Sequence, residues 1–125
     1  MNTGTADIAE YKAIAATVQH YIDGARKGSG KTMKKAFHDE AWIYGAMADA
    51  PFIAPIQELF DRVDERGSAP DLEAHIAEIN IANTAATVRL ELHNWAGRRF
   101  TDFFTLVKID GKWVISNKVF HLHGT

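Results

Sequence analysis

The most constraining feature of this chain is Asp110-Gly111, set between two long runs of alternating apolar and polar residues. An Asp-Gly pair favours a two-residue turn with positive φ at both positions, and such a turn joins neighbouring antiparallel strands. It sets Ile109 opposite Lys112. Continuing the ladder with period two pairs Leu106 with Ile115, Phe104 with Asn117, Asp102 with Val119 and Phe100 with His121. The face holding Leu106, Phe104, Ile115 and Val119, with Trp113, is apolar and is read as the inner one. Asp102, Asn117 and His121 then share that inner face, where a carboxyl group needs a cation or several donors, or stays protonated.

Working backward from this hairpin, Asn83-Thr84 and Ala96-Gly97 mark two further turns. Four strands result, about 72–82, 85–95, 98–109 and 112–122, in an antiparallel meander. Ile76 and Ile79 have opposite parity, which predicts a β-bulge near Ala77-Glu78 and a curved sheet. The first 66 residues read mainly as helix. Ile14, Val18, Tyr21, Ile22 and Ala25, with Ile8 and Tyr11, lie at helical spacing over 7–27. Thr3 or Thr5 is a candidate cap, and Gly28-Ser29-Gly30 breaks the helix. A short helix is expected over 31–37, a strand over 41–47, a loop over 48–54, and a helix from Pro55 bearing Ile56, Leu59, Phe60 and Val63. Helices segregated from strands define an α+β fold of one domain, 1–125: a curved antiparallel sheet wrapped over N-terminal helices, with a pocket between.

Composition narrows the function. With 125 residues and no cysteine, the chain needs no disulfide scaffold and has no thiolate zinc site or cysteine nucleophile. A formal charge of -2 from 14 basic and 16 acidic residues provides no basis for nucleic-acid binding. There is no run near the roughly 20 apolar residues that cross a bilayer, and no basic, apolar leader, so no membrane role and a cytoplasmic location are expected. Gly28-Ser29-Gly30-Lys31-Thr32 lacks the spacing of a phosphate loop and reads as a helix–helix turn. His121 and His123 are two apart on one strand but lack an evident third ligand, so no metal and no cofactor are expected. Phe103, Thr105, Val107, Val114, Ser116 and Phe120 fall on the outer face. That face is too apolar to remain exposed, which predicts a two-fold homodimer.

Several of these segments resemble a known superfamily. Phe37-His38-Asp39-Glu40-Ala41, Thr101-Asp102-Phe103-Phe104 and Asp110-Gly111-Lys112-Trp113, in this order after a helix bearing Tyr21, resemble the nuclear transport factor 2-like superfamily. The closest likeness is to its SnoaL-like and lumazine-binding-like branch, over about 8–121. The resemblance implies a cone-shaped α+β fold, a small-molecule pocket and homodimers. It implies no single function, because the fold hosts enzymes, binding modules and transport factors. Val18-Gln19-His20-Tyr21-Ile22 and Thr101-Asp102-Phe103-Phe104 also resemble the segments that supply the two oxyanion donors of ketosteroid isomerases, placing Tyr21 and Asp102 at those positions. The isomerases' general base falls on Gly45, which accepts no proton. A standard isomerase is therefore not expected; Asp49 is a weak substitute for the base, and His38 or His121 are alternatives. The expectation is a pocket for a carbonyl, enolate or aromatic ligand, bound by Tyr21, Asp102, Phe104, Asn117 and His121. The alternative is an isomerase, cyclase or dehydratase-like enzyme using Tyr21 and Asp102, with His121 a further catalytic candidate.

Overall fold

In the computed structural model, residues 7–124 are described. Helix α1 spans Ile8–Lys27, α2 Gly30–Lys34 and α3 Gln57–Arg66, with strands β1 Phe37–Met47, β2 Ala50–Pro55, β3 Glu73–Ala82, β4 Ala85–Trp95, β5 Arg98–Ile109 and β6 Lys112–Leu122. One sheet holds all six strands in the order β2-β1-β6-β5-β4-β3. Neighbours run antiparallel except β1 and β6, which are parallel because the helices and the whole meander intervene between them.

Helix α1 starts at Asp7, whose side chain accepts from the Glu10 backbone N–H, and stops at Gly28, which takes the left-handed conformation of a helix C-cap (φ 70°). Thr3 and Thr5 lie outside the described residues. The α1 stripe buries Ile14, Val18, Tyr21, Ile22 and Ala25 against the sheet, whereas Ile8 (72% exposed) and Tyr11 (40%) lie beyond the stripe. The turns at Ala96-Gly97 and Asp110-Gly111 have positive φ at both residues, as their sequences predict. In β3 the register shifts between Ile76 and Glu78, the bulge that the parity of the isoleucines predicts.

Besides β1, which begins at Phe37 rather than at 41 and leaves α2 only Gly30–Lys34, two elements differ from expectation. The stretch read as a loop over 48–54 holds β2, paired with β1 through Met47↔Ala50 to Trp42↔Pro55. Pro51 and Pro55 obscured it, yet prolines are tolerated on an edge strand, and β2 is an edge. Pro55 thus ends a strand rather than starting a helix.

The second difference moves the site. The β5–β6 ladder follows the predicted register from Ile109↔Lys112 to Leu106↔Ile115, then slips, so that Thr105 faces Asn117, Phe104 faces Lys118, Asp102 faces Phe120 and Phe100 faces Leu122. Ser116 is the extra residue. Its hydroxyl donates to the Thr105 carbonyl at 3.1 Å and lies 2.6 Å from the Thr105 hydroxyl, holding the bulge. Past it every β6 side chain changes face. Lys118, Phe120 and Leu122 turn inward and are buried, while Asn117, Val119 and His121 turn outward. None of the helices is long and apolar enough to cross a membrane among the described residues.

Candidate functional site

Inside the sheet's concave face, three polar side chains meet in an otherwise apolar core: Tyr21 from α1, Asp102 from β5 and Lys118 from β6. Their exposures are 0%, 0% and 3%. The Lys118 Nζ donates to the Tyr21 hydroxyl at 2.7 Å, and that hydroxyl donates to Asp102 Oδ2 at 2.6 Å. Lys118 and Asp102 approach no closer than 3.8 Å, so the tyrosine oxygen stands between cation and anion. The rings of Tyr21, Phe120 and Trp95 surround the ammonium at 5.0, 5.4 and 5.6 Å from their centroids. Phe104 packs edge-on against Tyr21 at 5.0 Å and fixes its ring.

Burial sets the electrostatics. It pushes the Asp102 carboxyl above its ordinary range, against the opposing pull of Lys118 and the Tyr21 hydrogen bond. The same desolvation pulls Lys118 below the usual lysine range, although Asp102 works to raise it. Tyr21 is pushed well above the ordinary phenol, by burial and then by the neighbouring carboxylate. Both partners of the ion pair are therefore displaced toward their neutral forms. Asp102 Oδ1 has no hydrogen-bond partner among the described residues, which adds to the strain of keeping that carboxyl charged.

Lys118 is also where this array meets a cleft. The cleft lies between α3 and the sheet and is lined by Ile43, Met47, Phe52, Leu59, Val63, Trp95, Phe100 and Phe120, with Arg62, Arg66 and Lys118 as its charged members. It encloses about 430 Å³ counted out to solvent. A cleft of this size admits a small molecule. Tyr21, Asp102 and Phe104 stand behind Lys118 and do not line the cleft.

The structure thus brings Tyr21 and Asp102 together, with Phe104 beside them, and separates Asn117 and His121 from them by the thickness of the sheet. Asn117 uses its side-chain oxygen to accept from the Trp42 backbone N–H at 3.0 Å, bridging β6 to β1. His121 is exposed, its ring 4.6 Å from that of His123. The residue that sequence reasoning missed is Lys118, which the unbroken ladder had turned to solvent. Gly45 is covered by Phe120: a Cβ there would fall 2.5 Å from ring atoms Cδ1 and Cζ, so this position has no room for a base. Asp49 lies exposed in the β1–β2 turn, and the His38 Nδ1 accepts from the Glu40 backbone N–H away from the cleft. No group of three or more metal-ligating side chains occurs among the described residues.

A six-stranded curved, unclosed sheet wrapped over an N-terminal helix, with a cleft between α3 and the sheet, is the nuclear transport factor 2-like architecture. Residues 9–121 match the family described as "Putative lumazine-binding", and the chain belongs to that family. Two solved NTF2-like proteins of unknown function superpose closely. One, from Methylobacillus flagellatus KT, is 36% identical, with a TM-score of 0.94 over 98% of both chains. The other, from Shewanella baltica OS155, is 37% identical, with a TM-score of 0.91 over 97% of this chain and 99% of that one. A curated relative, the aldolase FrzH of Cladobotryum sp, is 38% identical over 113 residues, 90% of each chain. A ketosteroid isomerase-like protein from Erwinia carotovora atroseptica shares the fold alone, at 17% identity and a TM-score of 0.68.

Proposed function

We infer that the cleft binds a small carbonyl compound and that the Lys118–Tyr21–Asp102 chain moves a proton to or from it. The observation that carries this reading is the pair of short hydrogen bonds, 2.7 and 2.6 Å, linking a buried amine at the cleft wall to a buried carboxyl behind it. Shifting each proton along this chain carries one net proton from Nζ to Oδ2 without moving a heavy atom. Groups whose acidities are drawn together by burial are suited to such exchange near neutral pH. A relative called an aldolase supports the reading, because aldol chemistry depends on proton transfer at and beside a carbonyl. Tyr21 and Asp102 keep a role here, but as a relay behind Lys118 rather than as donors in direct contact with an oxyanion.

The test is exchange of the hydrogens next to the carbonyl of pyruvate in deuterated water, followed by proton NMR. Wild type is expected to speed exchange over buffer, and Tyr21→Phe, which removes the bridging oxygen, to lose about 10²-fold or more of that acceleration. Equal rates in wild type and buffer would refute catalysis on this probe.

The outer face supports a second copy as partner. Trp42 (40% exposed), Tyr44 (39%), Phe103 (47%) and Val119 (47%) share that face. Tyr44, Val119 and Phe103 are direct cross-strand neighbours on β1, β6 and β5. A two-fold pairing of this patch would remove it from water. Phe120, expected in that patch, is instead buried on the inner face by the Ser116 bulge.

A further inference from the structure

We propose that Lys118 is a covalent nucleophile, forming a protonated imine with a short aldehyde or ketone that carries a carboxylate; this rests on the carbonyl-binding reading above and deepens it. Four observations lead there. Of the three charged side chains that line the cleft, Lys118 is the buried one, its side chain 4% exposed, whereas Arg62 and Arg66 are exposed. It makes one hydrogen bond, to Tyr21, which leaves the nitrogen otherwise free toward the cleft. A lysine kept only to neutralise Asp102 would sit directly on the carboxylate, at about 2.7–2.9 Å. Here the distance is 3.8 Å, with a hydroxyl interposed. Apolar and aromatic walls disfavour the ammonium, the condition under which lysines serve as nucleophiles.

The chemistry balances with the groups present. Starting from ammonium and carboxylate, the Tyr21 proton passes to Asp102 Oδ2 while a proton from Nζ replaces it on the tyrosine oxygen. The amine lone pair then forms the C–N bond, and the carbonyl π pair moves to oxygen. Both protons that join that oxygen come from the nitrogen, which is reprotonated once from Asp102 through Tyr21, and the oxygen leaves as water when the C–O bond breaks. Two of the ammonium's three protons thus depart in the water and one stays on the C=N nitrogen. Asp102 is again a carboxylate, facing the new cation through Tyr21. The positive charge is conserved throughout.

The arginines of the cleft select the rest of the molecule. Arg62 is already engaged, 3.5 Å from Glu58 and stacked 4.3 Å over Phe52. Arg66 has no carboxylate within salt-bridge distance among the described residues, and partial burial first, then the nearby Arg98 and Arg62, depress its pKa. An unpaired guanidinium and a buried amine lining one cleft suit a compound that carries both a carboxylate and a carbonyl.

Incubation with pyruvate and sodium borohydride, followed by intact and peptide mass measurement, tests this directly. The expected result is one reduced adduct per chain on Lys118, formed at least about tenfold faster than on any exposed lysine, because desolvation disfavours the ammonium and leaves more of the amine free to attack. Asp102→Asn should slow it by about tenfold or more, since no acceptor remains for the amine's proton. Arg66→Gln should slow labelling by pyruvate about tenfold more than labelling by acetone, which lacks the carboxylate. Lys118→Arg keeps the charge and the fold and should abolish the adduct. Labelling spread over exposed lysines, with Lys118 unmodified, would overturn the proposal. The indole signal of Trp95 on adding pyruvate without reductant separates the two levels. If it shifts and Lys118 stays unmodified, the imine fails and the carbonyl-binding reading stands; if neither occurs, both fail.

Discussion

Lys118 and Val119 are neighbours in β6, and each sits where the other's chemistry would ordinarily belong. The lysine is 3% exposed inside the sheet, and the valine is 47% exposed outside it. Swapping the two environments would need only the loss of the single-residue bulge at Ser116. The fold instead holds a charge in its core and an apolar patch on its surface. A buried ion pair offers little net stability against an apolar pair of the same size, so its retention in this core points to chemistry. An apolar patch continuous across three strands offers nothing to a monomer in water and points to association. On the proposed reading the inner face reacts and the outer face meets a second copy.

The largest expected effect comes from breaking the inner face. Lys118→Met removes the cation and leaves Asp102 buried alone, at about 3–5 kcal/mol of stability. Lys118→Met with Asp102→Asn should recover most of that loss, because no charge is then left unpaired. Urea unfolding of the two single variants and the double variant at pH 7 measures the coupling. Additive losses would mean that the two groups do not form one unit.

The outer face is sharpened by Val119→Asp. Placing a carboxylate among Tyr44 and Phe103 should convert a dimer into a monomer at micromolar concentration while leaving the fold intact, read by light scattering and circular dichroism. A monomeric wild type would show instead that the exposed patch has another use.

A smaller effect separates the faces by pH. The Asp102 pKa is raised in the folded state, so its contribution to stability is complete below the ordinary carboxyl value, about 4, and is lost as pH rises through the folded value. The stability of wild type relative to Asp102→Asn should therefore fall as pH rises from 4, by less than the loss in Lys118→Met. Relative stability that grows with pH would mean that Lys118 outweighs desolvation and holds Asp102 ionised.

The legible parts of this chain were those with local signals. The Asp110-Gly111 turn, the α1 stripe and the β3 bulge were all readable, and Tyr21 and Asp102 were placed on facing surfaces that the structure brings within 2.6 Å. β2 was hidden because proline weakens a strand reading wherever it stands, and only the topology reveals that this strand is an edge. Lys118 was hidden by a choice of parity. Trp113 and Ile115 are odd and Phe120 and Leu122 are even, the same break that disclosed the bulge in β3. Val119 continued the odd series, so the break went unseen and Asn117 and His121 were given the inner face. Two apolar residues of opposite parity flanking Lys118 were the available signal. What no pattern in β6 contains is the depth of the core behind it, which decides that a lysine there is desolvated rather than extended to water.

On the proposed reading, burial makes Lys118 a reactive amine tied through Tyr21 to Asp102. Carbon NMR of the lysine Cε signals, assigned with Lys118→Arg and followed against pH, measures it directly. Lys118 should titrate below the ordinary lysine value of about 10.4, because burial disfavours its ammonium. A Lys118 that titrates at or above that value would show a charge locked permanently on Asp102, and would contradict the account.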